Sequence, residues 1–203
     1  MSHNHCHNGC HDHDHSSSEE LGIQYNLYEK IDKDNLQCLN ETVEGSGRTV
    51  FKPWDKRLDR VHFVESDADE ELLFNIPFTG NIKLKGIKVS SEDSAAHPAK
   101  LRLFKNKPNM TFDDVAMEPD QVFELHTDSQ GVLEIVTFSS VTHLTMHFPS
   151  NFGADNTKIY YIGLKGEWTP AHNHGVTICS YEARPNLDDH KLKHLDSVSK
   201  QIE

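Results

Sequence analysis

No apolar run in these 203 residues approaches the ~18 that a membrane-spanning helix requires, so no transmembrane segment and no membrane partner is expected. The first 20 residues contain neither Lys nor Arg and no apolar stretch, so a secretory signal lacks both its defining parts. The sequons that begin at Asn40 and Asn109 are therefore expected to stay unmodified. Basic residues are scarce: 20 Lys and Arg stand against 32 Asp and Glu, a formal charge of −12. Such a chain repels phosphate backbones, which argues against nucleic acid as a partner. Cysteine is scarce too. Four in the chain, two of them in a polar leader, are too few for a disulfide scaffold and suit a reducing compartment. Cys-x-x-Cys, Gly-x-Ser-x-Gly, a phosphate loop and the dinucleotide fingerprint are all missing, so no enzymatic activity and no catalytic residue are expected.

What is present divides the chain into three. Residues 1–20 hold six of the fifteen histidines and almost nothing that can be buried, and are expected to be a disordered tail. Residues 185–203 read as a second polar tail. Between them, 21–184 form one domain, long enough to bury roughly 70% of its extended-chain surface.

The dominant period in that domain is two. Leu101 and Leu103 alternate with Lys100 and Arg102, and Leu144, Met146 and Phe148 alternate with His143, Thr145 and His147. The apolar set is expected inside and the polar set outside. Runs 132–138, 158–164 and 176–181 are rich in β-branched and aromatic residues, and turn formers gather at 77–81, 107–109, 128–131, 149–156 and 169–175. Eight or so short strands with few helical patterns between them read as an all-β antiparallel sandwich. Within 82–89 the alternation changes parity at Gly86, as a β-bulge requires. The helix signal is confined to 27–39, where Leu27, Ile31 and Leu39 can line one face of one or two short helices. A monomer is expected.

Three groups of side chains carry possible chemistry. The acidic run Glu65, Asp67, Asp69, Glu70 and Glu71 fits a basic patch on a protein partner, a calcium ion, or simply water at the start of a strand. His3, His5, Cys6, His7, Cys10, His11, His13 and His15 crowd metal ligands into a short segment that matches no zinc-finger spacing. That segment reads either as a loose zinc chelator, adventitious or regulatory, or as a solubilising leader. No cofactor is expected. The pairs His143/His147 and His172/His174 read as exposed surface histidines, since four strand residues span about 13 Å and prevent the first pair from sharing one metal. Trp54 or Trp168 beside polar loop residues is the natural place for a sugar, although packing is the commoner role of both. Cys38 and Cys179 read as small core residues.

The stretches Cys38-Leu39-Asn40-Glu41, Phe63-Val64-Glu65-Ser66-Asp67-Ala68-Asp69-Glu70-Glu71-Leu72-Leu73, and Asn151-Phe152-Gly153 ahead of Thr157-Lys158-Ile159-Tyr160-Tyr161 together resemble the PITH domain family. Gly45-Ser46-Gly47-Arg48, Phe51-Lys52-Pro53-Trp54 and Gly163-Leu164-Lys165-Gly166-Glu167-Trp168 add to the likeness, which covers about residues 22–184. The resemblance implies a β-sandwich jelly roll of the galactose-binding-like type, cytoplasmic and nuclear residence, no catalytic residues, and association with the proteasome. The family's domain was first described at the C-terminus of a protein related to thioredoxin. This chain lacks the thioredoxin domain, and Cys6 and Cys10 are not a Cys-x-x-Cys, so disulfide exchange is not implied.

Overall fold

Two long strands make the frame: β3 (Leu72–Ser90) and β6 (Leu133–Phe148), paired antiparallel. The computed structural model describes residues 25–128, 131 and 133–171. Around the frame lie β1 (Gln37–Leu39), β2 (Val64–Glu65), β4 (Lys100–Lys105), β5 (Gln121–Glu124), β7 (Lys158–Ile159) and β8 (Tyr161–Pro170). The main sheet has the order β1-β3-β6-β4-β5, with β8 added along β3, while β2 and β7 form a separate pair.

The long strands bend. Their mutual register slips between Pro77 and Ile82 and again between Ile82 and Gly86. Before the bend β3 lies between β1 and the second half of β6; beyond it β3 lies between β8 and the first half of β6. Phe74 and Ile76 from one half and Leu84 and Ile87 from the other enter the same core. Leu144, Met146 and Phe148 of β6 and Ile162 and Leu164 of β8 complete it. The result is an antiparallel jelly-roll sandwich, as the alternation implies. Gly86 sits at the bulge: both partners of β3 shift register there, and the inward set changes from Ile82 and Leu84 to Ile87 and Val89.

Three expectations need correction. Residues 77–81 are not a turn, because β3 runs through them. Pro77 has no N–H to give to a ladder, its carbonyl accepts from the Asp32 N–H at 2.9 Å, and Ile31 bridges to Phe78. A Cβ on Gly80 would stand 2.5 Å from the Thr169 carbonyl oxygen, so only glycine lets β8 approach here. These residues mark where the strand crosses between layers. The helical signal over 27–39 holds only for a 3₁₀ turn at Asn26–Lys30, with Leu27 buried; its far end, Gln37–Leu39, is a strand paired to β3. Edge pairing supplies there the hydrogen bonds that an isolated short helix cannot sustain. Cys38 lies in that strand, half-buried against the core, and burial pushes its thiol pKa up.

The third concerns the second face of β6. Thr145 and His147 are each only 1% exposed. The chain after β4 folds back over them, bringing Met110 and Val115 into a small cluster with Leu73 and Phe104. Asn75 ties this cover down, donating to the Met110 carbonyl at 2.9 Å and accepting from the Met110 N–H at 3.1 Å. Thr145 donates within reach of both Asn75 Oδ1 (3.1 Å) and the Lys107 carbonyl (3.0 Å). Thr145→Ala strands buried acceptors and should cost about 1–2 kcal/mol in urea denaturation. A loss below about 0.5 kcal/mol, the value for an exposed position, would contradict this burial. Run 176–181, with Cys179, and the pair His172/His174 lie outside the described residues.

Candidate functional site

The acidic run begins in β2 and continues as a loop to the start of β3. Its shape is set by a residue outside it. Asn40 adopts φ +66°, a left-handed conformation that asparagine tolerates better than most side chains. This turns its amide under the loop. Nδ2 donates to Asp69 Oδ1 and to the Glu71 carbonyl, each at 2.7 Å, while Oδ1 accepts from the Ala68 N–H at 3.0 Å. The Asn40 carbonyl accepts from the Asp67 N–H at 3.0 Å. From the other sides, Thr42 donates to the Ser66 carbonyl, Asn156 to the Ser66 and Asp67 carbonyls, and Thr157 to the Glu70 carbonyl. A loop whose backbone is held from two segments, 40–42 and 156–157, has a fixed surface.

The five carboxylates do different things. Glu65 pairs with Lys158 at 3.6 Å. Asp69 is structural, since it accepts from Asn40 and from the Glu71 N–H at 3.0 Å. Glu71 reaches to 3.7 Å from His147 Nε2. Burial, and then the neighbouring Asp69 and Glu70 charges, push the Glu71 carboxyl pKa up, with Arg102 opposing. Asp67 is exposed and Glu70 half-buried. Among the described residues no three His, Cys, Asp or Glu side chains gather to hold a metal ion. The eight histidines and cysteines of the N-terminal leader named above lie outside the described residues.

Reading the run from its composition missed both Asn40, 25 positions from Glu65 and hidden inside an apparent glycosylation sequon, and His147. Nothing in a single sequence marks a distant side chain as the hub of a loop. His147, expected at the surface, is buried. Neither ring nitrogen has a hydrogen-bond partner among the described residues, and the Phe112 ring stands edge-on to it at 6.4 Å. Desolvation, aided by the Arg102 charge, lowers its pKa to about 4. His143 is half-buried.

Both tryptophans pack. Trp54 stacks on Tyr25 with ring centroids 4.6 Å apart and meets Tyr161 edge-on at 6.4 Å. Trp168 lies half-buried against the core under the Lys30 ammonium, 4.8 Å from its ring. Neither presents the open indole face on which a sugar would stack. Beside the loop, the one-turn helix Ser46–Thr49 packs on β1. Glu41 anchors it by accepting from the N–H groups of Gly45 (2.5 Å) and Gly47 (2.6 Å). A Cβ on Gly47 would fall 2.4 Å from the Cys38 Cβ, so the close approach needs glycine.

The described residues thus form an antiparallel jelly roll with the acidic loop held between β2 and β3. A pair of carbohydrate-binding modules from Clostridium perfringens ZmpB, solved with GalNAc, shares that fold: TM-score 0.51 at 12% identity, covering 76% of this chain and 40% of that one. The PITH domain family model matches residues 17–185, and the chain belongs to that family. It is 60% identical over 202 residues to PITH domain-containing protein 1 of Xenopus laevis, covering 96% of each chain. To the Homo sapiens protein of the same name it is 56% identical over 200 residues, covering 95% of each. No helix among the described residues is long and apolar enough to cross a membrane.

Proposed function

We propose that this chain is a non-catalytic protein-binding domain, acting as a monomer in cytoplasm and nucleus, that associates with the proteasome regulatory particle. Membership of the PITH family supports the choice of partner. The observation that carries the binding reading is the acidic loop, whose backbone is held by Asn40, Thr42, Asn156 and Thr157 while its carboxylates do not converge on a cation. A rigid loop of that charge suits a complementary basic surface, because it costs little ordering entropy on docking.

The test uses Asp67→Asn with Glu70→Gln, which removes two charges and spares Glu65, Asp69 and Glu71, the three with contacts inside the fold. Association with purified regulatory particle should slow several-fold at low salt, and the salt dependence of the rate should shrink, because rim charges act mainly on encounter. Identical rates for both proteins across the salt series would remove the acidic loop from the contact. Absence of wild-type binding would remove the proteasome.

A further inference from the structure

Next to the acidic loop lies a groove of about 430 Å³, bounded by residues 42–49 on one side and 61–65 on the other. Val43 is 65% exposed and Val61 78% exposed, and the two face this one groove. The half-buried Phe63 also lines it; that ring is fixed edge-on to Tyr160 at 5.8 Å under the Lys158 ammonium. Among the described residues nothing covers the two valines, which leave apolar surface beside Phe63 in water. The walls are firm. Thr42 is tied to β2 through the Glu65 carbonyl, and Glu41 holds the helix Ser46–Thr49.

Charge around the groove is uneven. Glu44 and Glu65 line it, and the loop with Asp67 and Glu70 follows Glu65 directly. Across Thr49 and His62, which line both, a second cleft of about 580 Å³ opens, with Lys33, Arg48 and Lys56 in its walls. Lys52 and Asp59 in that cleft are spent on each other. The groove thus carries the acidic rim, and the basic rim of the neighbouring cleft begins beyond Thr49 and His62.

We infer that this groove takes an extended peptide segment of a protein partner whose apolar side chains cover Val43, Val61 and Phe63. A Lys or Arg on one flank of that segment meets Glu65 and the acidic loop, and an Asp or Glu on the other meets Lys56 and Arg48. The inference deepens the protein-binding reading above and rests on it. Charge complementarity selects the occupant: a second copy of a chain with net charge −12 would bring like charges together, whereas a segment with opposed flanks satisfies both rims. An apolar core with a polar rim is the usual anatomy of a stable contact.

The test uses the full chain and purified proteasome regulatory particle. Val43→Ser with Val61→Ser changes only exposed positions and should leave the melting temperature unchanged. It should weaken binding about tenfold or more, because apolar anchors at the centre of a contact carry most of its energy. A photo-crosslinking side chain at position 61 should capture a segment of the stated composition; one at position 135, an exposed site away from the groove, should not. Equal affinity of wild type and double variant overturns the groove while leaving the protein-binding reading intact. Crosslinks into residues 172–203 of the same chain, or into a second copy, overturn the choice of occupant. If the wild type fails to bind the regulatory particle, the proteasome reading falls. The groove is then judged with a synthetic peptide of two lysines, three leucines and two aspartates. Nuclear magnetic resonance shifts confined to the Val43 and Val61 methyls sustain it, and their absence overturns it.

Discussion

Asn40→Ala should destabilise the domain by about 2–4 kcal/mol, far more than a half-buried polar side chain usually does. Two costs combine. Alanine at φ +66° meets a steric penalty of about 1–2 kcal/mol that asparagine largely escapes. The amide bonds to Asp69, Glu71 and Ala68 disappear together, at roughly 0.5–1.5 kcal/mol each if fully counted. Part of that loss is recovered where water reaches the freed groups, since the Asp69 contact is exposed. Asn40→Gly separates the two costs, because glycine accepts the backbone angle but makes none of the bonds. Both variants should speed hydrogen exchange at the Ala68 amide, whose acceptor is Asn40 Oδ1, and the alanine variant should be the less stable of the two. A stability within 0.5 kcal/mol of wild type for Asn40→Ala would show that the acidic loop holds its shape without this hub.

The second large effect is a dependence on acid. His147 has a pKa of about 4 in the folded chain, against about 6.5 when unfolded, because burial disfavours the imidazolium. As pH falls through this interval the unfolded chain takes up a proton that the folded chain refuses. The stability is therefore fully present above about pH 6.5 and is lost as pH drops towards 4, by about 3 kcal/mol in total. Glu71, the carboxylate facing His147, works the other way: its raised pKa means that the folded chain binds a proton more readily, which offsets part of the loss at the acid end. Arg102 also faces the ring and opposes its protonation. His147→Leu replaces a buried imidazole lacking hydrogen bonds by an apolar group of similar size, so stability near pH 7.5 should change little. Urea denaturation of both proteins from pH 7.5 to 4.5 should give curves that diverge, the wild type falling faster. The other histidines and carboxylates titrate in both and cancel in the difference. A difference that is constant with pH would mean that His147 is not held neutral by the fold.

Both effects depend on distances that the chain alone does not display. Alternation in 100–103, 121–125 and 143–148, the parity change at Gly86 and the spacing of turn formers were enough to define an antiparallel sandwich, because burial of one sheet face imposes a period of two wherever it occurs. Leu144, Met146 and Phe148 were legible as core for the same reason. The acidic run was legible as a charged surface, since charge density is a property of local sequence. The period of two says only that two faces differ. It does not say that both are covered, and Thr145 and His147 went inside because the segment carrying Met110 and Val115 returns over them. Likewise Pro77 and Gly80 carry the composition of a turn, yet they serve a strand that changes layers, since the hydrogen bonds missing at that point are supplied by Ile31, Asp32 and β8. What the sequence by itself determined, then, is which residues prefer water and with what period. Tertiary structure alone decided that Asn40 shapes a loop 25 positions away and that Val43 and Val61 share one groove. Contacts between distant segments form only when loop closure is repaid by the packed core, and no local pattern records which segments will meet.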